Sequence, residues 1–108
     1  MRFQLVVAIV RRGLADQAVD AAKSAGIDGA TVVLARGTSI HQPPEFLGIR
    51  VTSEHEVVLI VCPIELAEAV LEKVVAASEL EKTGMGIAFV MEVAKVVGIV
   101  HRETTDSG

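Results

Sequence analysis

The sequence predicts an α+β fold in which two helices pack on one face of an antiparallel sheet. Apolar, β-branched segments at 2–11, 30–36, 57–62 and 87–93 have the character of strands, and two further segments have helical periodicity. Their order along the chain is βαββαβ, which is the order of the ferredoxin-like sandwich. The 108 residues are enough for one domain with a single core.

The first part of the chain predicts a strand, a helix and a second strand. Segment 2–11, RFQLVVAIVR, is almost wholly apolar, as expected for a strand that is covered on both faces. A helix is expected from Leu14 to Ala25, with small apolar residues on one side, and Gly26 is its expected C-cap. Segment 30–36, ATVVLAR, is the second predicted strand.

A long loop is predicted at 37–56, between strands 2 and 3, because the periodic pattern ends there. Pro43, Pro44 and Gly48 oppose a regular helix, and the segment exceeds the usual connection of about five residues. Loops of this length in compact domains are mostly functional or disordered. We therefore expect residues 38–55 to lack regular structure and to be mobile without a ligand or partner.

The second part of the chain predicts a strand, a longer helix and two further strands. After strand 57–62, Pro63 is expected to open the helix, because proline is tolerated in the first helical turn. The apolar stripe of this helix consists of Leu66, Ala67, Val70, Leu71, Val74 and Val75. A glycine loop at 84–86 precedes the fourth strand, and an extra short strand is expected at 96–102.

Composition argues against several classes of protein. The apolar stretches are under about ten residues long, whereas a membrane span needs about 20, so the chain is not expected to be membrane-embedded. The first apolar segment ends at Arg11 and Arg12 without a small-residue cleavage site, which favours a strand in a cytoplasmic protein over a signal peptide. A net charge of −4 and 3% aromatic residues argue against nucleic-acid binding. The single cysteine, Cys62, is expected to be a buried core residue.

Both faces of the predicted sheet are apolar, yet the two helices can cover only one of them. The core must be built mainly from Val, Ile, Leu and Ala, because aromatic residues are so few. Small domains with an excess of aliphatic surface often cover it by association. The sequence therefore predicts an oligomer in which the sheets face one another.

Two stretches carry a family resemblance. GIDGATVVLARG, at 26–37, is a strand between glycines, and GMGIAFVMEVAKVVGI, at 84–99, is a glycine loop followed by strands. With the order of elements, they resemble the PII signalling proteins of nitrogen regulation, which are trimeric regulators that bind adenine nucleotides. The resemblance implies a PII-like domain at 1–102 with a flexible tail at 103–108. It also implies a homotrimer that controls a membrane transporter or metabolic enzyme through an effector loop, the T-loop, at 37–56.

The resemblance implies a ligand cleft between subunits, formed by the T-loop base, the glycine loop and the C-terminal strand. Glycines in such a loop let backbone N–H groups converge on an anion. The positions carried over from the family are Thr31, Arg36, Gly37, Thr38, Gly84, Met85 and Gly86. Thr31 would face the adenine, and the glycine-loop amides would face phosphate.

Three cations of the family are replaced in this chain. Ile87 stands where the family has a lysine, and Gly98 and Val100 stand where it has arginines. Cations nearby in the sequence that could replace them are Arg36, Lys82, Lys95, His101 and Arg102. With fewer cations, the site is expected to favour ligands with one or two phosphates, such as AMP or ADP, over ATP. The sequence leaves the ligand open among adenine nucleotides and other small anions.

The predicted loop holds an apolar segment that could insert into a groove of a partner protein. It consists of Pro43, Pro44, Phe46, Leu47 and Ile49. Alternatively, these side chains fold back onto the trimer. Modification of a tyrosine is excluded, because the chain has none.

No pattern in the sequence indicates an enzyme. His41 and His55 lack the fixed spacing that would indicate a metal site, and Cys62 has no recognisable catalytic base. Two alternatives to a PII-like regulator stay open. One is a CutA-type trimer associated with divalent cations, although such sequences are typically richer in aromatic residues. The other is a structural assembly protein without a ligand.

Overall fold

The computed structural model describes residues 2–34, 45–46, 49–50, 55–82 and 86–98. Within these residues the elements are β1 (Phe3–Arg11), α1 (Ala15–Lys23), β2 (Thr31–Leu34), β3 (Glu45–Phe46), β4 (Ile49–Arg50), β5 (His55–Pro63), α2 (Ile64–Ala77) and β6 (Ile87–Val93). The main sheet has four antiparallel strands in the order β2-β5-β1-β6. The predicted α+β, ferredoxin-like fold is confirmed.

The central pair of strands in the main sheet is β1 and β5. They pair along their full length, from Phe3 opposite Pro63 to Arg11 opposite His55. On its other edge β1 pairs with β6, with Val7 opposite Phe89. The apolar residues of both strands alternate between the two faces of the sheet, because side chains along a strand point to opposite faces in turn.

The core lies between the sheet and the two helices. On the helix side of the sheet, its members are Val6, Ala8, Val10, Val58, Ile60 and Cys62; the helices add Ala15, Ala18, Ala22, Ala67, Val70 and Val74. The alanines of α1 let that helix approach the sheet closely. The prediction that Cys62 is buried in the core is confirmed, and burial raises the pKa of its thiol.

The other side of the sheet, which we call the open face, is also apolar. The register places Leu5, Val7 and Ile9 of β1 on this face, beside Val61, Leu59 and Val57 of β5 and Met91, Phe89 and Ile87 of β6. At its centre Val7 is 8% exposed, but Val61 is 46% and Met91 49% exposed. The open face therefore leaves large aliphatic side chains in contact with water in the single chain.

Strand β2 extends past the helical layer. Val32 lies in register with Val58 and so points to the helix side, yet it is 40% exposed. Leu34, at the end of the strand, is 60% exposed. The expectation that the helices cover one whole face therefore fails at this edge, because the packed helices reach only the strands next to it.

Both helices begin and end close to the predicted positions. Pro63 has φ −57° and ψ 145°, an extended conformation that directs the chain into α2 at Ile64. The predicted C-cap of α1, Gly26, was wrong by two residues, since the C-cap is Ser24. Gly26 has a φ of +108°, which turns the chain out of the helix at low steric cost.

Two further expectations need correction. The segment 37–56 was expected to lack regular structure, but Glu45 pairs with Arg50 and Phe46 with Ile49 in a short antiparallel ladder. Aromatic and β-branched residues on either side of a two-residue link that contains glycine favour such a hairpin, a signal that the prolines outweighed. The mobility expected for residues 38–55 otherwise concerns residues outside the described ranges.

The extra strand expected at 96–102 is not formed at 96–98, and residues 99–102 lie outside the described part of the chain. Gly98 has a φ of +97°, which lies outside the regular β region. In the described ranges no helix is long and apolar enough to cross a membrane. The predicted tail, 103–108, is also outside these ranges.

Candidate functional site

The two suspected loops meet the sheet at one end, which we call the loop end. Strands β1 and β2 finish there, at Arg11 and Leu34, whereas β5 and β6 begin there, at His55 and Ile87. The antiparallel pairing alone produces this arrangement. It brings Leu34 and His55, which flank the segment 35–54, to the same end of the sheet as Gly86.

Gly86 is held against the sheet so closely that no other residue fits. A Cβ atom at this position would collide with the backbone carbonyl of Ile9 and would lie 2.9 Å from a methyl group of Leu80. Its φ of +147° is also unfavourable for residues that have a side chain. The structure therefore gives Gly86 a packing role at the start of β6, independent of any ligand.

Ile87 lies on the open face, at the position where the resemblance leads us to expect a lysine. It is opposite Ile9, which is in turn opposite Val57 on the next strand. Val33 of β2 extends the same row. Ile87 thus completes an apolar row across the sheet.

Lys82 lies in the turn that follows α2. Its ammonium Nζ is 3.0 Å from the Oε1 atom of Glu79, and its side chain is 70% exposed. The backbone N–H of Lys82 also donates to the carbonyl of Glu79. Such an exposed ion pair is weak and can exchange for a stronger anionic ligand.

Arg11 and His55 are two basic residues of the loop end that sequence reasoning did not assign to the site. They are direct cross-strand neighbours at the ends of β1 and β5. They lie one pair of residues beyond the open-face row of Ile9 and Val57, on the same side of the sheet. The sequence could have suggested them only with the register of β1 and β5 known.

Glu56 was also missed, because its partners are far away in the sequence. Its carboxylate Oε1 accepts hydrogen bonds from the backbone N–H groups of Gly13, at 3.0 Å, and Ala15, at 3.2 Å. These donors lie at the beginning of α1, where backbone N–H groups have no partner inside the helix. The carboxylate therefore caps α1 from the start of β5.

Thr31 and the glycine loop lie at opposite edges of the sheet. Thr31 is on the open face, in register with Leu59. Strands in a sheet are about 4.8 Å apart, so β2 and β6 are separated by roughly 14 Å. One chain alone cannot bring Thr31 and Gly86 into contact with the same small group.

The described residues do not bring together all the candidate cations. Lys95 lies past the far end of β6, which spans about 20 Å from the loop end. There it lines an open cavity of about 320 Å³ with Arg2 and Glu92. The other predicted site and loop residues lie outside the described residues; they are Arg36, Gly37, Thr38, Pro43, Pro44, Leu47, Gly84, Met85, His101 and Arg102.

The described part of the chain contains no group of three or more His, Cys, Asp or Glu residues that could hold a metal ion. The chemistry available at the loop end is instead that of anion binding. Arg11, His55 and Lys82 supply basic groups there. The thiol of Cys62 is near the opposite end of β5, and burial raises its pKa, so it is not part of this chemistry. The basic groups can bind and neutralise an anion.

The fold and the loop end define a ferredoxin-like α+β protein with basic groups beside two loop attachments. Residues 3–103 match the family model of the nitrogen regulatory protein P-II. The chain therefore belongs to the PII family and is a PII-like regulatory signal protein.

A solved structure agrees with this assignment. The crystal structure of Arabidopsis thaliana PII bound to citrate is similar, with a TM-score of 0.67 and 26% sequence identity. The similarity covers 91% of this chain and 83% of the Arabidopsis chain. No match is found among curated protein sequences.

Proposed function

We propose that the chain forms a homotrimer that binds a small anion between subunits and controls a partner protein through the segment 37–56. The observation on which this rests is the position of two residues, Leu34 at the end of β2 and Gly86 just before β6. They lie at one end of the sheet but at opposite edges, roughly 14 Å apart. A site that uses both becomes compact when the β2 edge of one subunit meets the β6 edge of another.

The open face supports the trimer. It exposes Val61 and Met91, and β2 exposes Val33 on the same face. Burial of apolar surface contributes about 25 cal/mol for each Å², so covering such a face stabilises an assembly. Facing sheets would remove these side chains from water together.

The proposed ligand is a small anion with one or two phosphates, or with several carboxylates. Arg11 and His55, which are paired at the loop end on the open face, support this, and Lys82 adds a cation in the turn between α2 and β6. The Arabidopsis relative has citrate bound, and citrate is a small polyanion of this kind. Within the proposal, Thr31, Arg36, Gly37 and Thr38 come from one subunit and Gly84, Met85 and Gly86 from its neighbour. His101 and Arg102 would add charge.

The segment 37–56 is the proposed contact with a partner, which is either a membrane transporter or a metabolic enzyme. Leu34 of β2, which precedes this segment, and His55 of β5, near its end, lie at the loop end, where the ligand is proposed to bind. The binding of an anion can therefore change the segment without a rearrangement of the core. The proposal assigns the chain no catalytic step of its own and places it in the cytoplasm.

Calorimetry tests the ligand proposal. The purified protein is titrated with ATP, ADP, AMP, cyclic nucleotides, bicarbonate and citrate, each in a separate experiment. We expect at least one anion to bind below millimolar concentration and ATP to bind less tightly than ADP or AMP. Failure of every compound to bind at millimolar concentration would contradict the sensor.

A second candidate function is a structural assembly protein without a ligand. Ile87 favours it, because this side chain replaces a cation and continues the apolar row of Ile9 and Val57. In that case the protein should form a stable trimer in light scattering and show no heat of binding in the same titrations.

A further inference from the structure

One carboxylate joins two parts of the chain that the fold otherwise keeps separate. Glu56 is the second residue of β5 and follows the segment 37–54 almost directly. Its Oε1 atom accepts from the N–H groups of Gly13 and Ala15, which precede it by 43 and 41 residues. The base of the loop is thereby hydrogen-bonded to the start of α1.

Helix α1 has no cap from its own N-terminal residues. Its N-cap position is Leu14, which has no polar side-chain atom, and its backbone there is already helical, with φ −100° and ψ −8°. Gly13 has a φ of +95°, which directs its N–H toward the carboxylate. The first turn of α1 therefore takes its capping acceptor from Glu56.

We propose that Glu56 couples the base of the segment 37–56 to the first turn of α1, so that the two become ordered or disordered together. The carboxylate can retain both hydrogen bonds only while the start of β5 is in register with β1. Displacement of residues 55–56 breaks both bonds at once. Thermodynamic coupling is reciprocal, so a change in α1 acts on the loop base to the same extent.

Through this coupling, binding of the proposed ligand would change the first turn of α1. This part of the inference rests on the proposed function. Arg11, the last residue of β1, lies two residues before Gly13, and His55 directly precedes Glu56 on β5, so an anion held by Arg11 and His55 acts close to the hydrogen bonds. The exposed residues of the first turn, Asp16 and Gln17, would then respond to ligand. A partner that contacts α1 can detect the state of the loop.

Amide hydrogen exchange in the ligand-free protein tests the coupling by itself. We expect Glu56→Ala to accelerate exchange at Gly13 and Ala15 by about tenfold, and exchange at residues 55–57 by a comparable factor. Glu56→Gln keeps an acceptor oxygen but loses the charge, so its effect should be intermediate at both places. The matched control is Glu65→Ala, an exposed carboxylate in the first turn of α2, which should change neither region.

Faster exchange confined to Gly13 and Ala15 would make Glu56 a simple helix cap and overturn the coupling. Unchanged exchange in both regions would overturn it as well. If Glu56→Ala does not fold, the Glu56→Gln variant gives the same comparison, with the same two outcomes against the proposal.

A second set of measurements uses ADP at millimolar concentration as the probe. We expect ADP to slow exchange at residues 55–57 and at Gly13 and Ala15 in the wild type, but only at 55–57 in Glu56→Ala. Binding of ADP with no effect on exchange at Gly13 and Ala15 in the wild type would overturn the inference that the ligand acts on the first turn of α1. If ADP does not bind, the expectation that this nucleotide is a ligand fails, and the ligand-free measurements still decide the coupling.

Discussion

On β5, Ile60 is fully buried beneath the helices, whereas the next residue, Val61, is 46% exposed on the open face. The two side chains are both β-branched and aliphatic, and they belong to the same strand. Only the neighbouring layer differs. The pattern of apolar residues along β5 is therefore alike on the two faces, and it does not distinguish the face that the helices cover from the open face.

The largest effect is expected from a cavity on the helix side. Ile60→Ala should lower the free energy of unfolding by about 3 kcal/mol, because buried Ile→Ala changes cost both transfer energy and an unfilled cavity. Denaturant unfolding measures this loss. On the open face, Val61→Ala should cost about 1 kcal/mol or less at a protein concentration too low for the trimer to form, because Val61 is 46% exposed in the single chain. Equal costs at the two positions would break the distinction between the faces.

The fold was predictable because its signals are local. The apolar run at 87–93 and the stripe on α2 are complete within a few turns or alternations, and β6 and α2 formed as expected. The hairpin of β3 and β4 was missed because two pairs of residues give too short a pattern. The strand predicted at 96–102 is not formed at 96–98, and the positive φ of Gly98 cannot be read from the sequence of a single chain.

The candidate site was less predictable, because its parts are joined by register. Arg11 and His55 become neighbours only when β1 and β5 pair, and Glu56 reaches Gly13 only through the same pairing. By contrast, the glycine loop could be recognised from the sequence alone. The sequence could not show that packing of Gly86 against the backbone of Ile9 requires a glycine there, whether or not a ligand binds.

A charge on the open face is expected to have the next largest effect. Val61→Glu should convert the proposed trimer into monomers while the helices and the sheet persist, because a carboxylate is costly to bury between sheets. Light scattering gives the mass, and circular dichroism reports the retained secondary structure. Ala69→Glu, on the exposed side of α2, serves as the control and should leave the mass unchanged. A trimer that survives Val61→Glu would mean that another surface forms the interface.

A smaller effect is expected at the loop end. Lys82→Ala should weaken binding of ADP by about tenfold, which corresponds to 1.4 kcal/mol, and should leave the trimer intact. Glu79→Ala removes the partner of Lys82 in its ion pair and keeps the cation, so it should not weaken binding. Calorimetry distinguishes the two variants. Equal losses in both would indicate that the turn, and not the charge of Lys82, is important.

The smallest effect is expected at the other end of the sheet. Glu92 is 3.6 Å from Arg2 and accepts a hydrogen bond from the side chain of Gln4, but its side chain is 65% exposed. Glu92→Ala should change the free energy of unfolding by about 0.5 kcal/mol or less, since exposed ion pairs contribute little. A much larger loss in denaturant unfolding would indicate that this end is covered in the assembled protein.

The close contact between Gly86 and Ile9 has a consequence for how relatives of this chain would change over evolutionary time. Selection for a folded sheet alone would retain this glycine, even in relatives that no longer bind a nucleotide. The neighbouring position is under no such restriction, since Ile87 occupies it here with no strain of the backbone. If the resemblance holds in its detail and a lysine after the glycine binds the anion in relatives, that position is a better record of anion binding than the glycine itself.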